Sequence, residues 1–287
     1  MFKLDGDSQR FGVGVTLLAA FCFVVHDSGV KWLSVEVTIL QIICIRSLFA
    51  LAFLWGGSRL INNPITLSSK RPWLMLLRTV INVSSWMSFF YGLKYLPLAT
   101  ATAIFFSFPI YLTALSIPLL GEKVGIRRSL AMLVGFAGVV LMTKPGGEFQ
   151  WAALLMVCAA IGWAITAIIT RKLSDHNSAS DMTYHGLMGF VVIFTIPQFW
   201  LWQPIDLQSI GIIAVAAFFG LVAQLSLAKA YSIASPSIIA PFEYTGLIWA
   251  AMFGIVIFGD TIDGIVVCGA LLIVASNIYI VRRGERI

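Results

Sequence analysis

Hydrophobic runs of membrane-spanning length follow one another along this chain with hardly a break. A helix needs about 20 mostly apolar residues to cross ~30 Å of hydrocarbon. Runs of that kind lie near residues 11–31, 36–58, 72–93, 97–119, 126–143, 150–170, 182–203, 206–228, 234–257 and 262–281. In 287 residues these ten runs leave only short connections. Charged residues make up 11% of the chain, against about 25% in soluble domains. The expected fold is therefore an all-α integral membrane protein of ten transmembrane helices, with no soluble domain between them.

Basic residues set the expected orientation. With the N-terminus inside, the inner segments hold 14 of the 19 Lys and Arg residues, and the outer segments hold only Lys31, Lys94 and Lys144. Arg46 and Arg78 fall within runs. A Lys/Arg excess in short loops marks the cytoplasmic side, so both termini are expected there. The net charge of +6 reads as this bias. It does not form the basic patch with exposed aromatics that a nucleic-acid partner would need. The four cysteines all fall in runs and lack metal-site spacing. No cleavable leader and no lipidation or retention signal is expected.

The runs fall into two sets of five. Leu119-Leu120-Gly121-Glu122 closes the fourth run and Ile257-Phe258-Gly259-Asp260 closes the ninth. Five is an odd number, so a second copy must insert upside down. Inverted repeats are a recurring device of secondary transporters. The expected division is 1–145 and 146–287, two inverted five-helix repeats around a central cavity. The boundary lies at the turn-forming Lys144-Pro145-Gly146-Gly147.

Enzyme signatures are missing: HExxH, GxSxG and a phosphate-binding loop are all absent from the sequence. No catalytic residue, cofactor or metal is expected. Ionisable groups inside a membrane are costly and usually face a cavity or a partner. Arg78, Asn82 and Ser85, followed by Phe89, share one face of the third run at helical spacing. Arg78 reads either as a snorkelling cation or as a cavity group for a substrate carboxylate or Glu243. Glu243 is the deepest acid, set beside Pro241 and before Tyr244. It reads equally as site or as structural partner. Arg46 is too deep to snorkel and is expected to pair with an acid or backbone carbonyls. His26 lies deep without clustered partners, and Asp27 beside it reads as a local surface pair near Lys31.

Six tryptophans, Trp32, Trp55, Trp73, Trp151, Trp200 and Trp202, sit near run ends as interfacial anchors. Trp86 and Trp163 sit mid-run and are candidates for a cavity wall, where an indole can stack on a ligand and donate its N–H. Tyr91, Phe105, Phe106, Tyr111 and Tyr244 could line the same space, as could Gln224, a polar residue at depth that needs a partner or water. Pro109, Pro118, Pro236 and Pro241 are hinge candidates. Small residues in Gly135-Phe136-Ala137-Gly138 and Gly269 are expected to allow close helix packing.

The chain resembles the drug/metabolite transporter superfamily, in its ten-helix branch with two EamA-type domains. The matching residues are Leu120-Gly121-Glu122-Lys123, Gly135-Phe136-Ala137-Gly138, Trp163-Ala164, Pro241-Phe242-Glu243-Tyr244 and Gly259-Asp260. Asp260 departs from the Glu common in that family. The resemblance covers essentially the whole chain. It implies a basket of helices around a cavity, in a bacterial cytoplasmic membrane, and export of small metabolites by alternating access. Amino acids, including aromatic and neutral ones, are the expected substrates. Nucleotide-derived metabolites or cationic drugs are the alternative. The expected partners are that small-molecule substrate and the lipid bilayer, with no nucleic acid and a monomer as the assembly. An intramembrane enzyme would need a nucleophile–base or metal cluster at depth, and a scaffold would need a polar interaction domain.

Overall fold

In the computed structural model, the described residues are 6–60, 65, 69–120, 126–143, 151–173, 177–233 and 242–284. Their regular elements are all helices: α1 (Gly6–Leu33), α2 (Ile39–Leu60), α3 (Pro72–Tyr95), α4 (Leu98–Phe105), α5 (Phe108–Leu120), α6 (Ile126–Thr143), α7 (Trp151–Leu173), α8 (Ala179–Leu201), α9 (Leu207–Ile233), α10 (Thr245–Phe258) and α11 (Gly264–Gly284). Six helical stretches are long and apolar enough to cross a membrane, and α6, α10 and α11 contribute shorter apolar stretches. The 24-residue α3 falls outside both groups. Its polar residues, Arg78 and Asn82 among them, dilute its hydropathy. The fold is that of an all-α membrane protein.

The expected fourth run does not stay one helix. It breaks between α4 and α5 at Phe106-Ser107. Pro109 sits in the first turn of α5 and cannot donate to the carbonyl of Phe105, four residues earlier. The Ser107 hydroxyl and N–H both turn back to the Ile104 carbonyl, at 2.6 and 3.1 Å. Pro118 lies within α5. Pro236, Pro241 and the 144–147 turn lie outside the described residues.

Packing is pairwise and close. The largest contacts join α1 to α9, α3 to α7 and α6 to α11, and α2 packs on both α8 and α9. α4 and α5 lie against α7, and α10 lies against α1 and α4. Small residues set the approach distances. A Cβ on Gly138 would stand 2.7 Å from the Gly269 carbonyl oxygen, so the paired backbones of α6 and α11 leave no room for one. The six run-end tryptophans are each more than half exposed, as membrane-interface anchors should be.

Two ends of the bundle are tied differently. At one end, Gly259 takes a left-handed conformation (φ 65°) after α10, which glycine adopts without steric cost. The chain then turns and Asp260 faces inward. Its Oδ2 accepts from the Leu98 N–H at 3.0 Å, capping α4, and from Lys31 Nζ at 3.2 Å. Lys31 also donates to the Leu96 carbonyl at 2.8 Å. Nearby, the Gln41 amide donates to the Gln203 carbonyl at 2.7 Å. At the other end, Ser69 donates to Asn177 Oδ1 at 3.0 Å, and Ser178 and Asp181 cap the start of α8 reciprocally.

A two-chambered candidate substrate site

Two cavities share one dividing wall. The first holds about 700 Å³, counted to its open mouth. Its wall is aromatic: Phe23 from α1, Trp86 and Phe89 from α3, Phe105 and Phe106 at the broken helix, Phe108 from α5 and Trp163 from α7. Two carboxylates join that wall, Asp27 and Glu243. The second cavity holds about 530 Å³, counted likewise to its open mouth, and is the more polar, lined by His26, Arg46, Arg78, Asn82, Thr183 and Gln224 among others. Phe23 and Trp86 line both.

The aromatic wall assembles because the rings hold one another edge-on. Trp86 meets Trp163 with centroids 5.7 Å apart and planes at 85°, and Phe89 meets Phe105 at 5.0 Å and 68°. Edge-to-face pairs of this kind gain about 0.5–1.5 kcal/mol each beyond area burial. The break at Phe106-Ser107 presents three phenylalanines to one space, where a continuous helix would spread them around its axis. A discontinuous helix at a cavity is a recurring arrangement in transporters.

A buried chain of polar groups runs behind the dividing wall. Arg46 Nη1 lies 2.9 Å from His26 Nε2, and His26 Nδ1 lies 2.8 Å from Asp27 Oδ1. A guanidinium can only donate. Nε2 of His26 therefore accepts, and Nδ1 carries the proton and donates to Asp27. This neutral imidazole bridges a cation and an anion. Two expectations need correction here: His26 has partners on both ring nitrogens, and Asp27 is a buried member of this chain. Lys31 belongs to Asp260 instead. The error came from reading α1 alone, since Arg46 reaches His26 from α2 and Asp260 reaches Lys31 from beyond α10. Gly220 of α9 makes the geometry possible, because a Cβ there would stand 2.6 Å from His26 Cδ2.

Arg78 is buried and does not reach Glu243 in any ion pair among the described residues. Its Nε donates to Thr170 Oγ1 at 2.7 Å and its Nη1 to the Met182 carbonyl at 3.0 Å. Asn82 follows it onto the second cavity, and Gln224 faces the same space from α9. Ser85, on the same predicted face, leaves that space and donates to the Ala159 carbonyl at 2.7 Å. Gly162 lets α7 come over the middle of the stripe at that point. Tyr244 stands behind the first wall, edge-on to Phe106 at 5.4 Å. Tyr91 packs against the main core cluster and lines neither cavity, and Tyr111 is outside both walls as well. Among the described residues no group of three His, Cys, Asp or Glu side chains could hold a metal.

Sequence reasoning placed Phe106 on the cavity wall correctly, passed over Phe23, and read Asp27 as a surface pair. A readable signal existed for Phe23 and Asp27: Thr16, Ala20, Phe23 and Asp27 recur at helical spacing on α1, and all four line the first cavity.

Comparison with known proteins agrees with this architecture. The chain is 27% identical over 280 residues to an S-adenosylmethionine uptake transporter of Rickettsia bellii, covering 96% of this chain and 94% of that protein. It is 31% identical over 215 residues to a riboflavin transporter of Vibrio cholerae, covering 73% and 70%. A pseudopaline exporter of Pseudomonas aeruginosa is 24% identical over 280 residues, covering 96% and 98%. One crystal structure superposes with a TM-score of 0.64 at 16% identity, covering 96% of this chain and 98% of the other, which establishes a shared fold. The EamA-like transporter family matches residues 10–144 and matches again over 150–282. A membrane bundle whose helices enclose an aromatic chamber and a polar one, and whose two halves each match that family, belongs to the EamA-like transporters.

Proposed function

We propose that this protein is a secondary transporter or facilitator that carries amino acids, including aromatic and neutral ones, out of the cytoplasm across the bacterial inner membrane. The observation that carries this reading is the first cavity, where an aromatic wall and the carboxylates of Asp27 and Glu243 coincide. Rings can take an apolar or aromatic side chain edge-on or stacked. The carboxylates can take an ammonium group at a depth where an unpaired charge would be expensive. Glu243 is assigned to the cavity wall rather than to proton coupling.

Alternating access follows from ten spans arranged as two inverted repeats, 1–145 and 146–287, with both termini in the cytoplasm. Two observations support that arrangement. The family match falls once on each half. The packing pattern also maps onto itself when the first five spans are exchanged with the last five: α1 on α9 becomes α7 on α3, while α2 on α8 and α6 on α11 map to themselves. In this orientation the Lys31–Asp260 pair closes the outer end beyond both chambers.

A second reading is transport of nucleotide-derived metabolites. The relatives named for S-adenosylmethionine and riboflavin favour it, since both compounds carry flat ring systems that suit the same wall. Those relatives also include uptake systems, so flux must be measured both ways. Purified protein in liposomes, loaded or externally supplied with labelled phenylalanine, tryptophan, S-adenosylmethionine or riboflavin, decides between the readings. Amino-acid flux above protein-free liposomes is expected. Flux of only the last two would replace the first reading with the second.

A further inference from the structure

The second chamber is lined by two buried arginines, and no carboxylate of the described residues shares its wall. Arg78 satisfies itself with a hydroxyl and a carbonyl, both neutral. Arg46 gives Nη1 to a neutral imidazole, and its Nε is buried with no hydrogen-bond partner. The guanidinium is held in place by rings, lying 5.5 Å from the centroids of both Phe90 and Phe190. Nε and Nη2 form the edge of the guanidinium that takes a carboxylate through two parallel hydrogen bonds. On Arg46 that edge makes no bond, because His26 occupies only Nη1. Asn82 and Gln224 add neutral amide groups to the same wall. A buried polar atom left unsatisfied is uncommon and calls for a ligand or water.

We propose that the second chamber is a carboxylate subsite, in which Arg46 and Arg78 receive the acid group of a substrate whose ring or apolar part lies across Phe23 and Trp86 in the first chamber. The inference rests on the transport reading above and narrows its substrate class to organic acids and zwitterions. It separates the charges of a zwitterion: ammonium toward Asp27 and Glu243, carboxylate toward the arginines. Cationic drugs lack the second group and would leave this chamber unfilled.

The test uses a matched pair, 3-indolepropionate and its amide, titrated calorimetrically into the full-length protein in lipid nanodiscs. The acid is expected to bind at least ten-fold tighter than the amide. Arg46→Gln and Arg78→Gln should each bring that ratio toward one, and Arg78→Lys should keep part of it. The wild-type ratio alone judges the proposal if either glutamine variant fails to fold. Equal binding of acid and amide, binding of neither, or a ratio that survives both glutamine substitutions overturns the subsite. Inorganic phosphate displacing the acid at equal concentration also overturns it, because the site would then be a general oxyanion site. Failure of the transport reading is read separately. A protein with the acid preference but no amino-acid flux in liposomes loses the transport assignment and keeps the subsite. One that moves amino acids without the preference loses only the subsite.

Discussion

The Lys31–Asp260 end holds half-buried charge and the Arg46–Arg78 chamber holds buried charge, and they treat it in opposite ways. At the first, every charged group is answered. Asp260 serves Lys31 and the first turn of α4 together, and Lys31 serves Asp260 and the Leu96 carbonyl. In the second, two guanidiniums share a cavity with only neutral partners. Desolvating a charge costs several kcal/mol unless geometry and hydrogen bonds offset it. Satisfied charge therefore acts as closure, holding helices together, whereas charge left with spare donors is available to a ligand. The identity of the partners separates the two cases: an anion and backbone groups at the first, only neutral groups in the second.

The strongest way to break this contrast is through Asp27, which ends the Arg46–His26 chain beside the second chamber. Asp27→Ala removes the anion at the end of the Arg46–His26 chain and strands a buried cation. A loss on the order of 3–5 kcal/mol is expected, read as a fall in melting temperature of the purified protein. A variant as stable as wild type would mean that Arg46 is satisfied without Asp27. Asp260→Ala should cost somewhat less, about 3 kcal/mol, since Lys31 retains one carbonyl partner. It should also open the closed end. A cysteine introduced at Thr102, on the first cavity wall, should then react faster with an impermeant thiol reagent applied from the Asp260 side. Unchanged reactivity would remove the closure role.

Gly220→Ala sharpens the comparison from the packing side. Its Cβ would force His26 to shift, at an expected cost of about 1–3 kcal/mol. Any substrate affinity that depends on Arg46 should fall with it, while the Lys31–Asp260 closure stays intact. The smallest effect belongs to an exposed acid near the closed end. Asp206 accepts from the Ser209 N–H at 3.1 Å at the start of α9. Hydrogen bonds from the Ser209 hydroxyl and N–H hold its carboxyl below the usual carboxylate range. That depressed value contributes stability above the unfolded-state pKa of about 3.9, lost as pH falls through the lower folded value. Asp206→Ala should lower the melting temperature slightly at pH 7 and not at all near pH 2. An equal loss at both would mean that the side chain acts through packing rather than its charge.

Much of the fold was legible in the sequence, and the reason is chemical. Backbone groups in hydrocarbon must bond internally, so long apolar runs dictate helices, and run-end tryptophans mark their limits. The Gly138–Gly269 approach was readable for the same kind of reason, since only small residues allow it. The site was legible in outline. Trp86, Trp163, Phe105, Glu243, Arg78, Asn82 and Gln224 stood out as aromatic or polar residues at depth, and all line one of the two chambers. Ser85 stood out equally and became a helix-packing contact, because α7 covers its part of the stripe.

Sequence by itself determined that this chain is a helical membrane protein with few, deep and expensive polar groups. Hydropathy and charge are properties of residues in order, and a bilayer reads them one span at a time. Only the tertiary structure decided which polar groups meet. His26 meets Arg46 across 20 residues of chain, Lys31 meets Asp260 across 229, and Arg78 meets Thr170 across 92. Nothing local encodes those pairings. They arise because close-packed helices bring particular faces together, and that packing separates an aromatic chamber from a cationic one.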